Sequence, residues 1–326
     1  MAGTDPGTGP GTGPGFVHQA CLYGTDEEFL ATALPFALDG LAAGEPVLAA
    51  TTPANIELLR RALGERAGEL DTAETAYFGR RPVERVAAFL RYHDRRSRPG
   101  RRLRILAEPV WGGKSARQIA EWKRMESGLN VLLAGLPVRM ICPYDTRTVP
   151  GDVAHAARAT HPARVDGRLV TPCAEFTDPA AYAAAVPPPR LPAPPGAARA
   201  GPTARIAEIR SFARERAGAG GLRGERLGLA VLGVCEAAGY LLASEPAPRV
   251  AVRAWEEPGV LVYELLGAPV RPLPAFAGFR PPGAEPHPED GLWLARTLSE
   301  SLDVRMRGSL ARLTLRLAGP RDAERW

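Results

Sequence analysis

Two hydrophobic periods alternate along most of this chain. Short, nearly continuous apolar runs are separated by longer stretches with apolar residues three and four apart, the pattern of buried strands alternating with amphipathic helices. Residues 16–23 (FVHQACLY) read as a strand, and 25–43 as a helix begun by Thr25 and Asp26, with acids in its first turn and Gly44 after its end. The alternation continues with a strand at 46–51, a helix at 53–63 opened by Pro53, a strand at 75–79 and a helix at 82–92. It ends with a strand at 103–107, a long helix at 115–133, a strand at 138–143 and a short helix at 151–159. Such an order predicts an α/β domain: a mainly parallel sheet with helices on both faces.

The second half is patterned differently. Helices are predicted over 203–217 and around 229–242 (LAVLGVCEAAGYLL), then strands at 249–255 and 260–265. A proline-rich stretch over 267–288, a helix at 291–302 and strands at 303–307 and 312–317 complete an α+β domain, helices on one face of a largely antiparallel sheet. Residues 180–202 (AYAAAVPPPRLPAPPGAARAGP) read as a stiff, extended linker. The expected layout is therefore a disordered, low-complexity tail at 1–15, a first domain at 16–176 and a linker at 177–202. A second domain at 203–318 and a short tail at 319–326 follow.

Composition narrows the class. A length of 326 residues fits two domains at roughly 150 residues each. No apolar run approaches the ~18 residues of a membrane helix, and no basic-then-apolar leader is present, so a cytoplasmic protein without a membrane partner is expected. The four cysteines are scattered singly, which suits reduced thiols rather than a disulfide framework. The net charge of +5 comes from dispersed arginines, which argues against nucleic acid as a partner. Richness in Ala, Arg, Gly and Pro suits a high-GC bacterial gene product.

In parallel sheets ligands bind beyond the carboxyl ends of the strands, and polar residues collect there: Tyr23, then residues 108–114 (EPVWGGK), then Tyr144 and Asp145. Gly113-Lys114-Ser115 sits where a phosphate loop would, but the position of the loop's first glycine holds Glu108, whose carboxylate repels phosphate. Capping of the next helix by Ser115 is the expected role. On that helix Glu121, Trp122, Glu126 and Asn130 recur over successive turns and form a candidate polar wall. His18, Cys142 and His161 fall at separations that match no metal-ligand spacing, so no metal site is expected and Cys142 reads as core packing.

These motifs carry a resemblance. His18 and Tyr23 with the acidic helix start, EPVWGGKS, EWKRMESGLN, CPYD and THP, in that order, resemble the MEDS sensory domain, named for methanogens, methylotrophs and the regulator of dichloromethane dehalogenase. The resemblance spans residues 16 to about 170 and implies a small-molecule sensor. The implied ligand contacts are His18, Tyr23, Glu108, Trp111, Lys114, Glu121, Trp122, Glu126, Asn130, Tyr144 and Asp145.

Residues 203–317 are similar in element order to the anti-sigma-factor serine kinases of the RsbW type, histidine-kinase-like ATPases, with DGLWLARTLSESLDV (290–304) as the best local match. The resemblance implies ATP and Mg²⁺, with a Glu as base, an Asn one helical turn away holding Mg²⁺, and an Asp-x-Gly motif reading the adenine amino group. Here one register places Gly233 and Ala237 at the Glu/Asn positions; the other pairs Glu236 with Tyr240. Leu266-Gly267-Ala268 stands where Asp-x-Gly belongs. Glu236, Asp290 and Gly291 are what is left of a degenerate nucleotide site. Without a base, a Mg²⁺ ligand or an adenine acceptor, phosphoryl transfer loses positioning and charge neutralisation. The expectation is a signalling protein with no catalytic residues, no cofactor and no metal. It would act on a sigma factor or an anti-anti-sigma protein, and a homodimer is compatible with the resemblance. The rival expectation is an active serine/threonine kinase built around Glu236 and Asp290.

Overall fold

The structure, a computed structural model, describes residues 15–186, 192–243, 248–269 and 273–319. The predicted tail at 1–15, except Gly15, lies outside the described residues, as do 187–191 of the predicted linker and 320–326 of the predicted C-terminal tail. The chain divides into two compact units, Met1–Pro187 and Pro188–Trp326.

The first unit is built on a seven-stranded sheet. Its strands are β1 (Val17–Tyr23), β2 (Val47–Thr51), β3 (Asp71–Glu74), β4 (Leu103–Ala107), β5 (Val138–Asp145), β6 (Ala163–Asp166) and β7 (Leu169–Pro172). They lie in the order β3-β2-β4-β5-β1-β6-β7, parallel throughout except for the β6–β7 hairpin at one edge. The helices are α1 (Asp26–Ala42), α2 (Pro53–Leu63), α3 (Pro82–Arg96), α4 (Ala116–Leu132), α5 (Gly151–Thr160) and α6 (Pro179–Ala185). The connections through α1 and α2 step toward the β3 edge, and those through α3, α4 and α5 step back. With right-handed crossovers, α1 and α2 cover one face and α3, α4 and α5 the other.

Helix starts follow the sequence. Thr25 Oγ1 accepts from Glu28 N at 3.2 Å and Thr52 Oγ1 from Asn55 N at 3.2 Å. Ser115 and Gln118 form a reciprocal capping box, 3.3 and 2.8 Å, as expected of Ser115.

Up to residue 203 the structure corrects three expectations. The third strand is Asp71–Glu74, and residues 75–79 form a turn, because the buried Arg85 claims the carbonyls of Thr75 and Phe78 and Gly79 takes φ +76°. The helix predicted over 82–92 runs on to Arg96. The stretch read as a linker is not uniformly extended. Its start forms α6, capped by Asp178 and packed on α4 through buried Tyr182 and Ala183, and its end forms a strand, β8 (Ala198–Thr203). Proline content masks both: Pro179 suits the first turn of a helix and Pro202 an edge strand.

The second unit is a five-stranded antiparallel sheet of β8, β9 (Val250–Glu257), β10 (Val260–Gly267), β11 (Ser301–Arg307) and β12 (Leu310–Ala318), ordered β11-β12-β10-β9-β8. Helices α7 (Ile206–Ala219), α8 (Gly224–Leu242) and α9 (Asp290–Thr297) bury Ile209, Ala213, Val234, Ala237, Leu292 and Ala295 against Val252, Tyr263, Leu265 and Leu313. The opposite face of β10 carries Glu264, buried between Arg312 at 2.8 Å and Arg253 at 3.6 Å. The last helix is shorter than the predicted 291–302, because Glu300 N already bonds Arg316 O at 2.7 Å and begins the β11–β12 ladder.

Candidate functional site

The parallel register of β1 on β5 sets His18 beside Met140, Ala20 beside Cys142 and Leu22 beside Tyr144. Alternation then brings His18, Cys142 and Tyr144 to the face covered by α4 and α5. Helical spacing puts Trp122, Glu126 and Asn130 on one stripe of α4, and His161 caps the end of α5. Four side chains meet between these elements: His18, Glu126, Cys142 and His161, all buried, with one donor atom from each lying within 4.8 Å of the others. His18 Nε2 is 3.4 Å from Cys142 Sγ and 3.8 Å from Glu126 Oε2, and His161 Nε2 is also 3.8 Å from Glu126 Oε2. Nothing in their chain separations foreshadows this; it follows from which strands are neighbours.

The surroundings fix both imidazoles. Asn130 Nδ2 donates to Ser127 O at 3.0 Å and Thr160 O at 2.8 Å, so its Oδ1 faces His18 Nδ1 at 3.2 Å and must receive a proton from it. His161 Nδ1 lies 2.8 Å from Ala157 O, which can only accept. Both rings therefore carry hydrogen on Nδ1 and turn the Nε2 lone pair inward. Burial, helped by His161, holds His18 well below the usual histidine range, and burial brings His161 down to about 4. Burial also lifts Glu126 to about 7 and pushes the Cys142 thiol well up. Glu126 Oε2 and His161 Nε2 have no hydrogen-bond partner.

An aromatic wall adjoins this centre. Tyr144 stands edge-on to His161 with centroids 5.8 Å apart, Trp111 stacks on Tyr144 at 6.1 Å, and Trp122 meets Trp111 edge-on at 6.3 Å. Lys114 Nζ sits 5.0 Å over the Trp122 ring, and burial lowers its pKa. Trp111 is buried and its Nε1 is unpaired.

On the opposite face a second polar knot forms around Glu108, at the end of β4. Its carboxylate accepts from Tyr23 Oη at 2.6 Å, from Asn55 Nδ2 at 2.9 Å and from Thr51 Oγ1. Arg85 reaches Glu108 O at 3.2 Å from the α3 side. Thr51, Asn55 and Arg85 are not among the site residues the sequence points to. The signal it carries for them is weak: an Asn three residues after a capping Thr reads as helix-start chemistry.

Of the eleven predicted contacts, His18, Glu126, Asn130, Trp122, Trp111, Tyr144 and Lys114 gather on one face. Tyr23 and Glu108 belong to the second knot. Glu121 is half-buried, one position off the stripe. Asp145 stands apart, paired with Arg147 at 2.8 Å in the turn it caps. Of the predicted polar wall on α4, Trp122 and Glu126 are buried and Glu121 and Asn130 half-buried, so the wall is largely closed; His18, Glu108, Trp111 and Tyr144 are buried as well.

In the second unit Glu236 is half-buried and packs against the start of α9, where a Cβ on Gly291 would come within 2.9 Å of Glu236 Oε2. Asp290 Oδ2 accepts from His287 N at 2.8 Å. Gly233 lies against Leu298 and Leu315, and Ala237 is fully buried, so both positions sit in apolar packing.

Comparison with known proteins agrees with the first unit. The profile of the MEDS family, described as MEthanogen/methylotroph, DcmR Sensory domain, matches residues 17–162. That span holds every residue of both polar assemblies. No curated protein matches the chain. No described helix is long and apolar enough to cross a membrane.

Proposed function

We propose that this chain is a cytoplasmic bacterial signalling regulator. Its MEDS domain senses a small molecule, and its second unit acts as a catalytically degenerate, RsbW-type kinase fold that binds a protein partner. The observation that carries the sensory reading is the wall of Trp111, Trp122 and Tyr144, with Lys114 over it and an unpaired indole N–H, inside a domain of a sensory family. Such a wall offers apolar faces, a cation and a free donor to a small organic ligand. Binding would open the closed wall, and occupancy would shift the equilibrium between partner-binding states. A sigma factor or an anti-anti-sigma protein is the partner class we propose, and the fold is also compatible with self-association.

For the second unit, the apolar filling at Gly233 and Ala237 supports loss of catalysis. The packing of Gly291 on Glu236 favours the rival reading, an active kinase, because it joins two remnants of the nucleotide site.

Two experiments test the proposal. Tryptophan emission of the full chain, titrated with a panel of small organic compounds, is expected to shift saturably for one class and to lose that shift in Trp111→Leu; no shift across the panel counts against the sensor. Calorimetric titration with ATP and Mg²⁺ is expected to show no heat. Saturable binding, with phosphate transfer abolished by Glu236→Ala, establishes the kinase instead.

A further inference from the structure

The cluster of His18, Glu126, Cys142 and His161 is composed and arranged as a metal centre. We infer that these four side chains bind one divalent transition-metal ion of the zinc class, through His18 Nε2, Glu126 Oε2, Cys142 Sγ and His161 Nε2.

Geometry comes first. Bonds of about 2.0–2.3 Å at tetrahedral angles separate neighbouring donor atoms by roughly 3.3–3.6 Å. The observed separations are 3.4 Å for His18 Nε2–Cys142 Sγ and 3.8 Å for each imidazole Nε2 to Glu126 Oε2, with no pair of donors beyond 4.8 Å. Contraction by up to about half an ångström on these three edges, and by no more than about 1.5 Å on the others, gives a tetrahedron.

The tautomers come next. Both Nδ1 atoms are committed as donors, to Asn130 Oδ1 and Ala157 O, which leaves the lone pairs on the two Nε2 atoms, each 3.8 Å from Glu126 Oε2. Ligating histidines are oriented in this way, by a fixed acceptor on the far nitrogen. Asn130 is itself fixed by two backbone carbonyls, so the orientation is built into α4 and the end of α5.

Charge and satisfaction point the same way. A thiolate and a carboxylate with two neutral imidazoles balance a dication, and mixed S/N/O donors suit zinc better than a hard cation. Without a cation, Glu126 Oε2 and His161 Nε2 face each other, buried and unpaired, an arrangement that costs stability. Arg85, a buried cation whose charge acts on Glu126, gives its Nη atoms to Thr75, Phe78 and Glu108 O. With four protein ligands and full burial the site is of the closed kind. The ion ties β1, β5, α4 and the end of α5 together rather than activating a water.

The test uses the untagged full chain. After production with added zinc, elemental analysis is expected to find one zinc per chain. Replacing zinc by cobalt(II) is expected to give the visible bands of a tetrahedral ion and a thiolate-to-cobalt charge-transfer band. The charge-transfer band should vanish in Cys142→Ser and persist in Cys21→Ser, Cys173→Ser and Cys235→Ser. Should Cys142→Ser fail to fold, His161→Gln replaces it, with at least a tenfold loss of cobalt affinity expected. A folded wild-type chain with neither stoichiometric zinc nor a cobalt spectrum overturns the inference, and so does a charge-transfer band that survives Cys142→Ser.

Discussion

Asn130 turns its side-chain oxygen toward His18 Nδ1, 3.2 Å away, because its nitrogen is already held by the carbonyls of Ser127 and Thr160. The amide cannot flip without losing two hydrogen bonds and setting its NH₂ against an N–H. The metal-free chain should therefore show His18 and His161 as neutral Nδ1–H tautomers, the less common form, in long-range ¹H–¹⁵N spectra at neutral pH. In Asn130→Leu, His18 should revert toward the Nε2–H form while His161, held by Ala157 O, stays unchanged. Metal affinity, read by competition with a chelator, should fall by about 10–100-fold, the usual effect of removing an outer-shell partner. An unchanged affinity would mean that His18 is not a ligand.

Glu108 draws together Tyr23, Thr51 and Asn55 from β1, β2 and α2. Three buried donors converge on one carboxylate, so its loss strands all three. Glu108→Leu is expected to destabilise the first unit by about 3–5 kcal/mol, and Tyr23→Phe, which leaves the other two donors in place, by about 1–2 kcal/mol. Denaturant unfolding of the full chain, followed by far-UV circular dichroism, measures both. Equal costs for the two variants would show that Glu108 is not the hub.

The first unit is more legible in the sequence than its site is. Regular alternation of apolar runs and amphipathic stretches locates four of its seven strands, puts the third on the turn that follows it, and leaves out the β6–β7 hairpin. The hairpin escapes because ARVD and LVTP carry no distinctive apolar run and its residues are mostly exposed. The stripe of Trp122, Glu126 and Asn130 can be read from local helical spacing. The meeting of His18, Cys142 and His161 cannot, because it depends on β1 lying between β5 and β6, and pairing order is a long-range property. Similarly, the burial of Arg85 rests on long-range partners, the turn at 75–79 and the carbonyl of Glu108, which its own helix does not reveal.

Cys21 is buried on the face of β1 that packs on α1, and burial raises its thiol from 9.0 to about 11. At pH 8 it is a thiol in the fold, so native alkylation should be at least ~100-fold slower than in denaturant. The folded-state pKa lies above the unfolded one, so the folded state holds the proton longer. Its contribution is intact below pH 9 and is lost as pH rises toward 11. A wild-type chain should therefore lose stability faster than Cys21→Ala across that window. Parallel stability curves for the two proteins would show that Cys21 titrates normally.

Two glycines pack closely at α9 for different reasons. Gly278 has φ +72°, and a Cβ there would lie 2.7 Å from the carbonyl carbon of Leu292 and 2.9 Å from its oxygen. That carbonyl belongs to the backbone of α9 and cannot swing away, so Gly278→Ala should cost about 2–4 kcal/mol, combining left-handed strain with overpacking. At Gly291 an added Cβ would meet Glu236 Oε2 first, at 2.9 Å, and Glu236 O at 3.1 Å. The carboxylate can swing away, so Gly291→Ala should cost less, about 1 kcal/mol. Part of that cost should disappear in a Glu236→Ala background, with a coupling of about 0.5–1 kcal/mol in the double-mutant cycle. Additive costs would mean that the carbonyl, not the carboxylate, limits the approach of α9, and Glu236 would then have no part in holding the start of that helix.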